Sequence, residues 1–492
     1  MDHSEAPVLD ALTAYQAEEQ LPFTPPGHKQ GRGADPRVRA ALGDAVFGAD
    51  VLAVSGLDDR TTSQGILKHA QELMADAVGA EHTFFSTCGS SLSVKAAMLS
   101  VAGPHEKLLI GRDVHKSVVA GLIIAGIRPV WVDPQWDPDL HLAHPPAPEA
   151  FRSAFEEHPD AQGALVTSPT PYGTCADIGA IAALCHERGV PLIVDEAWGA
   201  HLPFHPDLPT WAMDAGADLC VTSVHKMGAG LEQGSVFHLQ GDLVSAPTLA
   251  ARADLLDTTS PSVLIYAGLD GWRRQMMEQG RELLGEALGR ARRVRAAIEE
   301  IEGLHVNDRD DFCGEGRAFD LDPFQIFIDL SEVKFNGYDA ADWMRRHHHI
   351  NLHTSDHRRI NAQLTHADDE TTTARLLDGL RDLVAHADEL PRAPEIRIPA
   401  PGDLRLQQAS LPRDAFFGQV EQIPADQAVG RICAEMLTPY PPGIPAALPG
   451  ERLDQAVVDY LRTGAEAGML IPDAADSTIA TIRVSVHDVD AD

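Results

Sequence analysis

Short apolar runs recur along the first half of the chain, each ending in polar residues. They read as strands at His82-Thr83-Phe84-Phe85, Leu108-Leu109-Ile110, Val130-Trp131-Val132-Asp133, Ala164-Leu165-Val166-Thr167, Val190-Pro191-Leu192-Ile193-Val194 and around Cys220-Val221. Between them the apolar spacing turns helical, as at Ile66, Ala70, Leu73, Met74 and Val78, and in the segment that opens at Cys88-Gly89-Ser90-Ser91 and runs through Met98 and Leu99. Strands alternating with helices of roughly a dozen residues predict a mostly parallel sheet covered on both faces. Residues 1 to about 20 predict one amphipathic helix with Val8, Leu9, Leu12 and Tyr15 on a face, followed by an extended arm forced by Pro22, Pro25, Pro26 and Gly27.

After residue 255 the pattern changes. A long helix is predicted over about 264 to 302, with Arg273, Arg274, Arg281 and Arg290 on a solvated face. Phe324-Gln325-Ile326-Phe327-Ile328-Asp329-Leu330 reads as a strand of a smaller domain, and Pro399, Pro401 and Gly402 mark a further boundary. The expected organisation is an N-terminal helix and arm (1–30), a catalytic domain (31–255), a long helix with a small domain (256–395) and a C-terminal domain (396–492). His347-His348-His349 does not predict a metal site, because consecutive residues on a helix point in different directions.

Composition narrows the function classes. A chain of 492 residues with 44% hydrophobic residues has room for two or three cores, and at 5% aromatic their packing must be mainly aliphatic. A formal charge of −34 argues against a nucleic-acid partner and weakly favours a small cationic one. The cysteines Cys88, Cys175, Cys185, Cys220, Cys313 and Cys433 form no CxxC pair and suit a reducing compartment. The start carries no signal-peptide pattern, and no apolar run approaches the ~20 residues of a membrane span, so a cytoplasmic protein without membrane partners is expected.

The candidate chemistry lies at two strand ends. One apolar run delivers Asp195-Glu196-Ala197-Trp198-Gly199-Ala200-His201, and about 30 residues later the next delivers Ser223-Val224-His225-Lys226, a spacing that fits one βαβ unit. Ligands of open α/β sheets collect at such carboxyl ends. Alone, the lysine reads as a surface residue and the aspartate as a helix cap. Together they meet the needs of an aldehyde cofactor such as pyridoxal 5'-phosphate: an amine for the Schiff base, and a carboxylate that keeps the pyridine nitrogen protonated. Ser90 and Ser91 at a helix start add a candidate anion site.

These motifs resemble the Orn/Lys/Arg decarboxylase family, group III enzymes of the aspartate-aminotransferase fold (PLP fold type I). Further markers are Thr24-Pro25-Pro26-Gly27-His28-Lys29-Gln30-Gly31, Gly56-Leu57-Asp58-Asp59, His82-Thr83-Phe84-Phe85, Val114-His115-Lys116-Ser117 and Pro439-Tyr440-Pro441-Pro442-Gly443-Ile444-Pro445. The resemblance covers nearly the whole chain. It implies a large α/β domain with a mostly parallel sheet, a smaller α/β domain and a C-terminal α+β domain. It implies Lys226 as the cofactor lysine, Asp195 at the ring nitrogen and His115 stacked on the ring. It also implies Ser90, Ser91, Ser223, His225 and Ala197 as further cofactor contacts, and it makes Glu435 and Glu451 candidates for a cationic substrate end group. Thr258-Thr259-Ser260-Pro261-Ser262 resembles a segment that reaches the neighbouring subunit's phosphate, implying at least a homodimer. The chain looks like the short form of the family, without room for an N-terminal receiver-like domain. The implied reaction is decarboxylation of lysine, arginine or ornithine. Departures at Arg60-Thr61-Thr62-Ser63, Pro171 and Val263 leave open another reaction of the same cofactor, and a catalytically silent homologue is the rival from a different class.

Overall fold

The computed structural model describes residues 1–52, 57, 65–392, 405–439, 444–466 and 468–486. Gly56, Asp58, Asp59, Arg60–Ser63, Pro399, Pro401, Gly402 and Tyr440–Gly443, named above, lie outside them. The chain divides into two compact units, Met1–Ser100 with Pro191–Glu282, and Val101–Val190 with Leu283–Asp492.

In the first unit, the Leu192–Asp195 strand runs parallel to Leu219–Ser223, with Asp195 opposite Val221. Every residue of both strands is buried, which suits apolar runs with helices or loops on both faces. The next strand, Ser235–Leu239, pairs antiparallel with Leu219–Ser223 and with His82–Ser86, so this end of the sheet is mixed. The helical spacing after Gly65 becomes the Ile66–Val78 helix, which buries Leu67, Ala70, Leu73, Met74, Ala75 and Val78.

The N-terminal helix is Pro7–Ala17, buried at Val8, Leu12 and Tyr15, whereas Leu9 is turned outward at 37% exposure. The long helix is Val263–Glu299. Its Arg273 was expected on the solvated face and is instead fully buried. Arg273 pairs with Asp270 at 2.8 Å and donates to the backbone carbonyls of His3 and Glu5, while Asp270 accepts from the Val8 amide. A cation on a helix enters the interior when a carboxylate and carbonyls satisfy it there. Arg281 is exposed and Arg274 is 42% exposed at its side chain, as a solvated face requires, whereas the Arg290 side chain, also expected there, is only 12% exposed.

In the second unit the Lys107–Gly111 strand pairs parallel with Arg128–Val132 and with Ala164–Thr167. Helices Lys116–Ala125, Pro148–Glu157 and Ile178–His186 follow these strands in turn. A second, antiparallel sheet orders His305–Asn307, Gln325–Asp329, Arg359–Gln363 and Thr354–Ser355. The last part has its own apolar cluster, including Leu437, Leu453, Val457, Val458, Leu461 and Ile482. At the end of the Gly337–His348 helix the histidines take different neighbours: His347 stacks on Trp343 at 4.0 Å and His348 binds Asp382 at 2.7 Å.

Candidate active site

The first unit gathers most of the polar groups singled out in the sequence. The buried Leu219–Ser223 strand passes directly into the one-turn Val224–Met227 helix, which carries His225 and Lys226. Gly228 closes this turn: a Cβ there would lie 2.6 Å from the Val224 carbonyl oxygen and 2.9 Å from the Trp272 ring, so no other residue fits. Burial pushes the Lys226 amine down to about 8, against the upward pull of Asp195. The amine also lies 4.0 Å from the centre of the Trp198 ring, a cation–π distance.

Asp195 ends the neighbouring strand, is buried, and accepts a hydrogen bond from the Ala197 amide at 3.3 Å. Burial raises its pKa, and Lys226 and the Ala197 amide pull it back. Ala197 is itself buried, and its carbonyl accepts from the Ser223 amide. Glu196 points to the other side of the strand, where it is fully buried and accepts from the Ala212 amide and from Cys220 Sγ. Desolvation raises its pKa well above the usual carboxylate range, against the pull of Cys220 and the Ala212 amide.

The anion candidates meet as well. Ser223 donates from its hydroxyl to Ser90 Oγ at 2.7 Å, and Ser90 starts the Ser90–Val101 helix. Gly89 just before it has φ +74°, a left-handed conformation natural to glycine, which turns the chain into the helix. Ser91 is exposed in the same first turn, and His225 is half-buried, its pKa lowered by burial and then by Lys226. Hydroxyls and first-turn amides together make an anion cradle.

His115, Glu435 and Glu451 belong to the second unit. His115 is the N-cap of the Lys116–Ala125 helix, its Nδ1 accepting from the Ser117 amide at 3.2 Å. Glu451 is completely buried, faces the Arg112 guanidinium at 3.2 Å, and accepts from the Leu448 amide. Glu435 accepts from the amides of Ala475 and Arg483, one on each oxygen. Both carboxylates are thus held by internal partners, which is the geometry of braces. Tyr172, given no role from sequence, is buried and donates to Asp356 at 3.3 Å. Trp198 was missed: it stands inside the strand-end motif, but spacing does not tell which way an indole turns.

Comparison with known proteins agrees with this geometry. The chain matches the Orn/Lys/Arg decarboxylase major domain over residues 6–345 and the Orn/Lys/Arg decarboxylase C-terminal domain over residues 371–477. It is 37% identical to an arginine decarboxylase of Halalkalibacterium halodurans, over 98% of this chain and 97% of that one. It is 36% identical to an arginine decarboxylase of Bacillus subtilis, over 98% of each. The solved lysine decarboxylase of Francisella novicida superposes with a TM-score of 0.82 at 20% identity, covering 97% of this chain and 79% of that one. Serine palmitoyltransferase of Sphingomonas wittichii shares the fold at a TM-score of 0.54 and 15% identity, over 74% of this chain and 86% of that one. The fold is that of the aspartate-aminotransferase class. With matches spanning both units and the strand-end Asp195–Lys226 pair in place, the chain belongs to the Orn/Lys/Arg decarboxylase family.

Proposed function

We propose that this protein decarboxylates arginine to agmatine and CO2, with pyridoxal 5'-phosphate carried on Lys226. The carrying observation is a lysine amine brought down to about 8 beside the buried Asp195 on the next parallel strand. Family membership supports decarboxylation of a basic amino acid. Arginine is favoured because relatives named arginine decarboxylase match at 36–37% identity over 98% of the chain.

The residues present fit the cofactor. Burial lowers the Lys226 amine to about 8, which makes its neutral, nucleophilic form easier to reach for attack on an aldehyde. When bound, the cofactor supplies a conjugated, protonated ring that accepts the electron pair released as CO2 departs. Asp195 keeps the proton on the ring nitrogen, and its burial strengthens that interaction. Ser90, Ser91, Ser223 and His225 would hold the phosphate through hydroxyls, an imidazole and first-turn amides, and Ser90 and Ser223 already meet at the helix start. His115 is assigned to the ring face on the family resemblance. Lys226 delivers the proton that replaces the carboxylate at Cα. Glu435 and Glu451 are left out, since their oxygens are occupied.

The remaining inferences are a homodimer, with the 258–262 segment reaching the neighbouring site, and a cytoplasmic location. Among the described residues no helix is long and apolar enough to cross a membrane. The test is to incubate the cofactor-loaded protein with arginine, lysine, ornithine and neutral amino acids and identify products by mass spectrometry. Agmatine alone is expected. Cadaverine or putrescine would move the substrate within the family, and an aldehyde or keto acid would overturn the reaction. No product from any of them would favour a silent homologue.

A further inference from the structure

The second unit contains a cleft of about 860 Å³, inside the range of about 300–1,000 Å³ usual for small-molecule sites. Its residues come from segments far apart in sequence, among them Asp113, Trp131, Tyr172, Tyr338, His357 and Tyr460. The sequence gives no hint of it, because no two of these residues share a short motif.

Asp113 is the unusual member. It follows the Lys107–Gly111 strand, is 3% exposed, and among the described residues neither carboxylate oxygen has a hydrogen-bond partner beyond Asp113's own backbone amide. Burial pushes its pKa to about 7, with no neighbouring cation pulling the other way. The adjacent Arg112 does not serve it: that guanidinium donates to the carbonyls of Pro445 and Ala446 and to Glu451. A buried carboxyl left without a partner is costly, and native proteins rarely keep one without a use.

The walls suit an organic cation. Trp136, His141 and His357 form a run of stacked rings, with centroid separations of 6.4 Å and 5.7 Å. Elsewhere in the cleft Asp356 accepts from the hydroxyl of Tyr172 and from the Arg358 and Arg359 amides, and burial, with Asp356 adding to it, raises the phenols of Tyr338 and Tyr460. Aromatic faces hold methylene chains and attract cations. Of the wall cations, Lys107, Arg405 and Arg112 have carboxylate partners in Asp160, Asp133 and Glu451, and Arg128 also lines the cleft.

We propose that this cleft is a binding site for a small aliphatic organic cation, an ammonium or guanidinium head on a short methylene chain, seated with its head on Asp113. The inference does not depend on which amino acid the enzyme decarboxylates. The head exchanges water for a charge-assisted hydrogen bond to the Asp113 carboxylate.

The experiment is calorimetric titration of the cofactor-loaded protein with agmatine (a guanidinium and an amine) and with spermidine (amines only), paired with crystals soaked in each. The expected result is density for at least one of them against Asp113, and a site whose affinity falls at least tenfold in Asp113→Asn. The amide keeps the shape and removes the charge, and the comparison of the two probes tells guanidinium from ammonium. Tyr338→Leu, which leaves Asp113 intact, is expected to weaken the same site three- to tenfold and decides the matter where the first variant fails to fold. Density confined to other places, or affinities unchanged in both variants, overturns the proposal. Binding here in a protein that decarboxylates none of the basic amino acids would leave this inference standing and remove the proposed function.

Discussion

Ser223 donates a hydrogen bond from its hydroxyl to that of Ser90 at 2.7 Å, joining two residues 133 positions apart. The contact sets the end of the Leu219–Ser223 strand, just before Lys226, against the first turn of the Ser90–Val101 helix. Under the proposed function both hydroxyls would bind the cofactor phosphate, so each also orients the other. Ser223→Ala and Ser90→Ala are each expected to weaken pyridoxal phosphate binding about three- to tenfold, the loss of one or two ordinary hydrogen bonds. The double variant should lose less than the product of the two, because the hydroxyl–hydroxyl contact is counted twice in the singles. Cofactor titration followed by absorbance measures all three.

Asp195 ends one strand and Lys226 sits in the turn of helix that follows its parallel neighbour, and burial drives their pKa values toward one another. Asp195→Ala is expected to cut kcat by at least about 10²-fold, since the ring nitrogen loses its counter-charge in a desolvated place. Asp195→Glu, which keeps a carboxylate but moves it, should recover part of the loss. Steady-state rates at saturating substrate and cofactor separate this from weakened binding.

Lys226 also makes stability depend on pH. Its amine ordinarily titrates at 10.5 and stands at about 8 in the folded protein, so the folded state binds its proton less well than the unfolded state. The penalty is therefore fully present below pH 8 and is relieved as pH rises from about 8 toward 10.5. Cofactor-free Lys226→Met is accordingly expected to be more stable than the parent at pH 7, with the advantage shrinking across that window. Urea unfolding at pH 7, 8.5 and 10 measures it; an advantage that grows with pH would contradict the assignment.

Strand-end chemistry was legible in the sequence because it depends on order and spacing. Asp195 and Lys226 close two apolar runs about one βαβ unit apart, and the structure puts their strands side by side. Helices with a clear apolar face, such as Ile66–Val78, were equally legible. What the sequence hides is partner choice between distant residues. Nothing local distinguishes Arg273, buried against Asp270 and the His3 and Glu5 carbonyls, from the exposed Arg281 on the same helix. The Ser235–Leu239 strand turns back antiparallel after Lys226, a choice set by tertiary pairing that an apolar run does not encode. For the same reason a carboxylate suited to a substrate cannot be told from Glu451 braced on Arg112.

That brace can be tested. Glu451 is buried with Arg112 as its charge partner, and Arg112 ties the same region through the Pro445 carbonyl. Removing one member of a buried pair leaves the other charge uncompensated, which costs about 3–5 kcal/mol. Glu451→Ala should therefore lower stability by that order, seen as a drop in the urea midpoint, while KM for arginine changes little in the protein that remains folded. A selective rise in KM with unchanged stability would instead place Glu451 at the substrate's cationic end.

Arg273 supports a parallel prediction at the N-terminus. Its guanidinium holds the carbonyls of His3 and Glu5, and its partner Asp270 accepts from the amide of Val8, so one buried ion pair fastens the first turn of the Pro7–Ala17 helix. Burial raises the Asp270 pKa, and Arg273 is the first group that opposes the rise. Without the guanidinium, the carboxyl should take up a proton more readily, and its bond to Val8 should weaken as the charge is lost. Arg273→Met, which keeps an unbranched apolar stem in the cavity, is expected to cost about 3–5 kcal/mol at neutral pH. The loss should be largest locally, so limited proteolysis should cut within residues 1–20 at least tenfold faster before the rest of the chain is attacked. Uniform cleavage along the chain, with the first helix no more sensitive than the core strands, would show that the pair serves global stability rather than fastening this segment.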